Sequence, residues 1–162
     1  MKLPTFLPLP GFPSRPPRLR KRTNPLPPIA HKFMDALERI AGPKQILYMG
    51  PFQFIGDRKG GIYGQLELHF WPRGPKGAYV VHVGYIGVSP EHRRKGYASI
   101  MMNMLVQAAD EVGMDMDLNI SPNTKRGDKS KQMTERQLQK FYSKFGFKSG
   151  PGAAWKDMRR TR

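Results

Sequence analysis

Residues 85–115 read YIGVSPEHRRKGYASIMMNMLVQAADEVGMD. The opening residues close a β-branched and aromatic run, AYVVHVGYIGV, that stops at Ser89-Pro90, the kind of boundary that ends a strand. From Tyr97 the apolar residues change period. Tyr97, Met101, Met104, Leu105, Ala108 and Val112 recur at spacings of three and four, which predicts a helix from Gly96 to about Val112. Between strand and helix, Arg93, Arg94 and Lys95 run directly into Gly96. A solvated basic patch has no need of the glycine, and a plain turn has no need of the cations. The first N–H groups of a helix lack intrahelical partners and carry partial positive charge. A glycine there lets the backbone approach an anion with no Cβ in the way. The stretch therefore reads as a phosphate cradle between a strand and a helix.

Working outward, HKFMDALERIAG places Phe33, Leu37 and Ile40, with Met34 and Ala41, on one helical face before Gly42-Pro43. QILYMGPFQFIGD is strand-like and broken at Gly50-Pro51. GIYGQLELHFW alternates, with Leu66, Leu68 and Phe70 on one face and Gln65, Glu67 and His69 on the other. PRGPKG then turns the chain into AYVVHVGYIGV, making a long hairpin. Beyond the central helix, MDMDLNIS reads as a strand and NTKRGDKSKQMT as a polar, cationic loop. ERQLQKFYSKFGF reads as a short amphipathic helix running out at Gly146, and AAWKDM as a last edge strand. A helix between two strands of one sheet implies a parallel crossover, while the hairpins are antiparallel. The expected class is a mixed, mostly antiparallel α/β sheet with helices on both faces.

The chain has 162 residues, enough for one domain with a real core. Residues 1–30 hold nine of its sixteen prolines and six cations with no acid. Proline fixes φ and removes donors, so residues 1–28 read as a flexible, polyproline-like basic arm and 29–162 as the folded domain. Proline also interrupts each candidate apolar stretch of a signal peptide, and no run approaches the ~20 apolar residues of a membrane span. A soluble, cytoplasmic protein is expected. Zero cysteines exclude disulfides, thiolate metal sites and cysteine nucleophiles, and no metal site is expected. The formal charge of +16 attracts polyanions and makes nucleic acid a candidate partner.

The nucleotide fingerprints GxxxxGK[ST] and GxGxxG are missing. What is present is Arg93-x-x-Gly96-x-Ala98, which resembles the coenzyme A motif of the GNAT superfamily of acyltransferases. The whole of residues 85–115 is similar to that family's central strand, phosphate loop and helix. LQKFYSKFGF resembles its A-x-x-F-Y-x-K-x-G-F segment, and FIGDRKGGIYGQLEL its second and third strands. The resemblance extends over about residues 46–148.

It implies the GNAT fold and an acetyl-CoA-dependent N-acetyltransferase in which an amine attacks the thioester directly. Main-chain groups of Ile86, Gly87 and Val88 then hold the pantetheine arm and offer an amide to the developing oxyanion. Arg93, Arg94, Lys95, Gly96, Tyr97, Ala98 and Ser99 hold the pyrophosphate. Tyr142 matches the tyrosine that protonates the leaving thiolate, its ordinary pKa of ~10 being comparable with that of the thiol. Asn123 lies near a position that meets the cofactor in the family. His82 stands where members often carry a glutamate base. Glu67 on the neighbouring strand competes for that role, and a structural, hydrogen-bonded histidine is the plain alternative. The family's usual first strand and paired helices are reduced here to one clear helix, and the loop with Lys125, Arg126, Lys129 and Lys131 is longer. Both departures fall where acceptors bind. The acceptor stays open between a nucleic-acid-linked amine (aminoacyl-tRNA or modified base) and a protein lysine, N-terminus or small-molecule amine. A non-catalytic polyanion-binding protein on the same scaffold is the further alternative.

Overall fold

The computed structural model describes residues 26–42, 46–49, 52–56, 62–73, 77–120, 133–150 and 157–161. Most of the basic arm, Asn123 and the four cations of the 125–131 loop lie outside the described residues.

Helix α1, Pro28–Ala41, opens three residues before the expected stretch. Proline at its first position has φ preset and no N–H to waste. Ala30, Phe33, Ala36, Leu37 and Ala41 bury one face, and Gly42 ends the helix at φ 90° with its N–H on the Glu38 carbonyl. Strands β1 (Ile46–Met49), β2 (Phe52–Gly56), β3 (Ile62–Arg73) and β4 (Ala78–Val88) follow as an antiparallel meander. Helix α2, Tyr97–Val112, crosses over to β5, Asp115–Asn119, which lies parallel to β4. Helix α3, Glu135–Ser143, leads to β6 (Lys148–Ser149) and β7 (Asp157–Arg160). The described strands form one sheet in the order β1-β2-β3-β4-β5-β7-β6, with β4 and β5 its parallel pair. The expected mixed, mostly antiparallel sheet is present. The last strand is not at the edge, however. β7 pairs with β5 on one side and β6 on the other, and β6 takes the edge.

Leu66 and Leu68 are buried and Phe70 is packed against the same core, as alternation requires. Phe70 meets Phe33 of α1 edge-on at 5.6 Å, and Gly64, on the same face, lies under Met101 of α2. Both helices therefore cover this face. A Cβ at residue 64 would drive into the Met101 thioether, so glycine is what lets α2 sit this close.

The sequence hides one feature of β4. Its register against β3 runs Glu67 with Tyr85, then Leu68 with Val83, leaving Gly84 as an extra residue. This bulge switches the alternation. Val81 and Val83 point to the core before it, and Ile86 and Val88 join the Leu66 and Gly64 face after it.

Candidate active site

The bulge marks where the sheet opens. β4 keeps its β3 partner as far as Val88, but its pairing with β5 stops at Val83 opposite Leu118. Beyond Gly84 the other edge of β4 has no strand against it among the described residues. Backbone groups at that depth need partners, so the edge at Ile86, Gly87 and Val88 is a place for a ligand with amides of its own. One of these groups is already engaged: the Val88 carbonyl accepts from Arg93 Nε at 3.1 Å. Tyr85 folds across Gly87, where a Cβ would stand 2.5 Å from its hydroxyl.

The loop above this opening is braced from below. Ser89 is buried, its N–H bonds the Tyr63 carbonyl at 3.0 Å, and its hydroxyl meets His92 Nδ1 at 2.7 Å. Tyr63 lies 4.2 Å from the Tyr97 ring, and His92 packs edge-on against Tyr97 at 5.4 Å. Pro90–His92 form one 3-10 turn. Arg94 and Gly96 then adopt positive φ, 60° and 82°. Gly96 caps α2 in the left-handed conformation, and a Cβ built on it meets nothing within 4 Å. Glycine is needed here for its backbone angle, and the space over it is open. Arg93, Arg94, Lys95 and Gly96 are exposed, and Tyr97, Ala98 and Ser99 are half-buried in the first turn. The residues expected to cradle a diphosphate thus surround one helix N-terminus, except that Arg93 turns its Nε back to the strand. Sequence reading missed Tyr63, Ser89 and His92, although the Ser-Pro-x-His spacing was there to be read.

On the opposite face of the sheet from α1 and α2, His82 of β4 stands level with His69 of β3 and Asp117 of β5. His82 Nδ1 lies 2.7 Å from Asp117 Oδ1, and His69 Nε2 lies 2.9 Å from Glu67 Oε1. The two imidazoles are 6.2 Å apart. Trp71, half exposed, stacks on His69 at 5.6 Å and meets His82 edge-on at 5.9 Å. Glu67, expected as a competitor of His82, is bonded to the other histidine. Asp117 and His69 were not singled out from sequence, because their partnership depends on strand register. Asn119 bonds Asp157 at 2.7 Å. Among the described residues no group of three or more His, Asp or Glu is placed to hold a metal, and no helix is long and apolar enough to cross a membrane.

Tyr142 occupies the last turn of α3. That helix starts with a reciprocal cap, Gln137 N–H to Thr134 Oγ1 and Thr134 N–H to Gln137 Oε1, which fixes its entry. The Tyr142 ring is buried between Phe141 and Phe147, and burial pushes its phenol up to about 12. The near balance expected against a thiol is therefore shifted. The phenol is a weaker acid than the sequence implies and stays protonated through the physiological range.

A family model described as an acetyltransferase (GNAT) domain matches residues 52–149, well over half of the chain. Among solved structures, PH1933 from Pyrococcus horikoshii aligns at 17% identity and TM-score 0.50, over 69% of this chain and 65% of that one. Naa20 of Chaetomium thermophilum, in complex with a bisubstrate analogue, aligns at 22% identity and TM-score 0.46, over 70% and 67%. A mutant of the toxin AtaT bound to acetyl-CoA and the C-terminus of the antitoxin AtaR aligns at 14% and 0.44. This chain spans 65% of that toxin's length and the alignment takes up 67% of its own. No curated protein sequence matches. With the family model laid over the open strand edge, the glycine-capped loop and Tyr142 alike, the chain belongs to the GNAT acetyltransferases.

Proposed function

We propose that the protein is an acetyl-CoA-dependent N-acetyltransferase that works through a ternary complex. The observation that carries this reading is the coincidence of two features at one strand end. Among the described residues the β4 edge has no strand against it beyond Val83, and the Ser89–Gly96 loop stands directly after it with open space over Gly96. A pantetheine arm has amides to satisfy the edge, and a diphosphate suits the loop and the α2 N-terminus.

In this reading the main chain of Ile86, Gly87 and Val88 holds the pantetheine, and an amide there faces the thioester carbonyl. Residues Arg93–Ser99 hold the diphosphate, with Arg94 and Lys95 contributing charge and Arg93 anchored at the strand end. His82 removes the proton from the amine, and Tyr142 donates to the leaving thiolate. The sequence has no cysteine to carry an acyl group, which suits direct attack. Proximity and orientation then supply most of the acceleration.

The acceptor favoured is an amine carried on or near a nucleic acid. The net charge of +16 supports it, and so does a stripe of exposed cations spaced by four, Arg136 and Lys140 on α3 and Lys144 at its C-cap. A protein amine or small-molecule amine is the alternative. Incubation with labelled acetyl-CoA and fractionated cell extract tests both levels of the proposal. Label entering RNA or DNA supports the favoured acceptor, label in protein or metabolites supports the alternative, and no transfer to any fraction rejects the enzyme.

A further inference from the structure

The two carboxylate–histidine pairs differ in a way that has chemical consequences. An ionised carboxylate only accepts hydrogen bonds. Asp117 at 2.7 Å therefore requires the proton of His82 on Nδ1, and Glu67 at 2.9 Å requires that of His69 on Nε2. A neutral imidazole has one proton, so His82 is left with a bare Nε2 and His69 with a bare Nδ1. The pairs sit level on neighbouring strands, 6.2 Å apart, with the half-exposed Trp71 against both rings. Within a chain of net charge +16, this small area carries two carboxylates and an aromatic face, the surroundings that favour a cation.

The geometry points to Asp117 as the positioning residue that makes His82 a base toward the acceptor's ammonium, with Glu67–His69 as a second, oppositely oriented pair beside it. The inference rests on the acetyltransferase reading for its chemistry. The ammonium gives one proton to His82 Nε2, and the resulting imidazolium is stabilised by Asp117. The freed lone pair forms the C–N bond as the C–S bond breaks. The thiolate takes the Tyr142 proton, and the second proton of the nitrogen returns to Tyr142 through solvent. The imidazolium then releases its proton, so one ammonium and one thioester become one amide, one thiol and one proton.

The test is nitrogen NMR of the full chain labelled with 15N-histidine, recorded about two units above the ordinary histidine value of ~6.5. We expect His82 protonated on Nδ1 and His69 on Nε2. Asp117→Leu should release His82 into a mixture of tautomers while leaving His69 fixed, and Glu67→Leu should do the reverse. In the labelled-acetyl assay, His82→Gln should lower transfer about 100-fold, in the range for loss of a general base, and Asp117→Leu at least about tenfold. Calorimetry should show acetyl-CoA affinity unchanged in both. Wild-type His82 protonated on Nε2 overturns the assignment even if Asp117→Leu does not fold, and so does a folded Asp117→Leu that keeps the Nδ1 tautomer. Failure of the wild-type protein to bind acetyl-CoA rejects the acetyltransferase reading instead, whatever the tautomers.

Discussion

Gly96 offers a perturbation whose effects on folding and on binding separate cleanly. Its φ of 82° and ψ of 3° are left-handed, which costs an L-residue ~1–2 kcal/mol. Asparagine tolerates that region better. Because a Cβ there meets nothing within 4 Å, no steric cost adds to the backbone cost in the free protein. Gly96→Ala should thus lose ~1–2 kcal/mol in denaturant unfolding, and Gly96→Asn less than ~1. Binding should behave differently. A side chain at 96 enters the space assigned to the diphosphate, and Gly96→Glu adds a like charge worth up to ~4 kcal/mol at ~4 Å and an effective dielectric of ~20. Calorimetric titration with acetyl-CoA should show at least a tenfold loss, ~1.4 kcal/mol, for Asn and a larger one for Glu. Gly77 is the control. It has φ 68° and equally open space, but it lies in the hairpin turn at the other end of β4. Gly77→Ala should cost similar stability and leave affinity untouched. Folded Asn and Glu variants at position 96 that bind like wild type would refute the cradle.

Tyr142→Phe should lower kcat with cofactor affinity unchanged, the mark of an interaction made in the transition state; a steady kcat with chemistry rate-limiting reduces Tyr142 to packing. Its raised phenol also has a stability consequence. The unfolded chain releases this proton near ~10 and the folded one at about 12, so a contribution on the order of a few kcal/mol, fully present below pH ~10, should be lost as the pH rises to ~12. Denaturant unfolding across that window should show the Phe variant free of that part of the slope. Gly64→Ala should destabilise by ~1–3 kcal/mol through overpacking against the buried Met101, and an unfolding midpoint equal to wild type would contradict the close approach of α2. Deleting residues 1–25, which leaves Pro27 and Pro28 to start α1, should weaken nucleic-acid binding and flatten its salt dependence while acetyl-CoA binding survives. If the intact protein binds no nucleic acid even at ~50 mM salt, the polyanion-linked acceptor gives way to a protein or small amine.

Local rules made much of the fold legible. The three-and-four spacing in α2, the alternation in β3 and the glycine-plus-cation stretch before Tyr97 each follow from one element's own chemistry, and each is present. What needs two elements at once was hidden. The Gly84 bulge leaves the apolar run AYVVHVGYIGV looking like one even strand, yet it reverses the alternation and coincides with the parting of β4 from β5. Asp117 and His69 become partners of the candidate base only through strand register, thirty-five and thirteen residues away in sequence. Arg93 reads as a phosphate ligand by position, but its Nε is bonded to the Val88 carbonyl. The expected last edge strand is internal instead, because the two-residue β6 has no pattern long enough to read and β7 slips between it and β5. The shift at Tyr142 comes from burial, which an amphipathic helix does not disclose by itself.

The central claim is that the free β4 edge and the loop after it form the cofactor site, and amide chemical-shift mapping tests it most directly. On titration with acetyl-CoA, the account predicts that the largest perturbations fall at Ile86, Gly87 and Val88 and across Arg93–Ser99, with Gly77 and the α1 helix unmoved. Shifts that gather elsewhere on the sheet, or a spectrum that acetyl-CoA leaves unchanged, would contradict it.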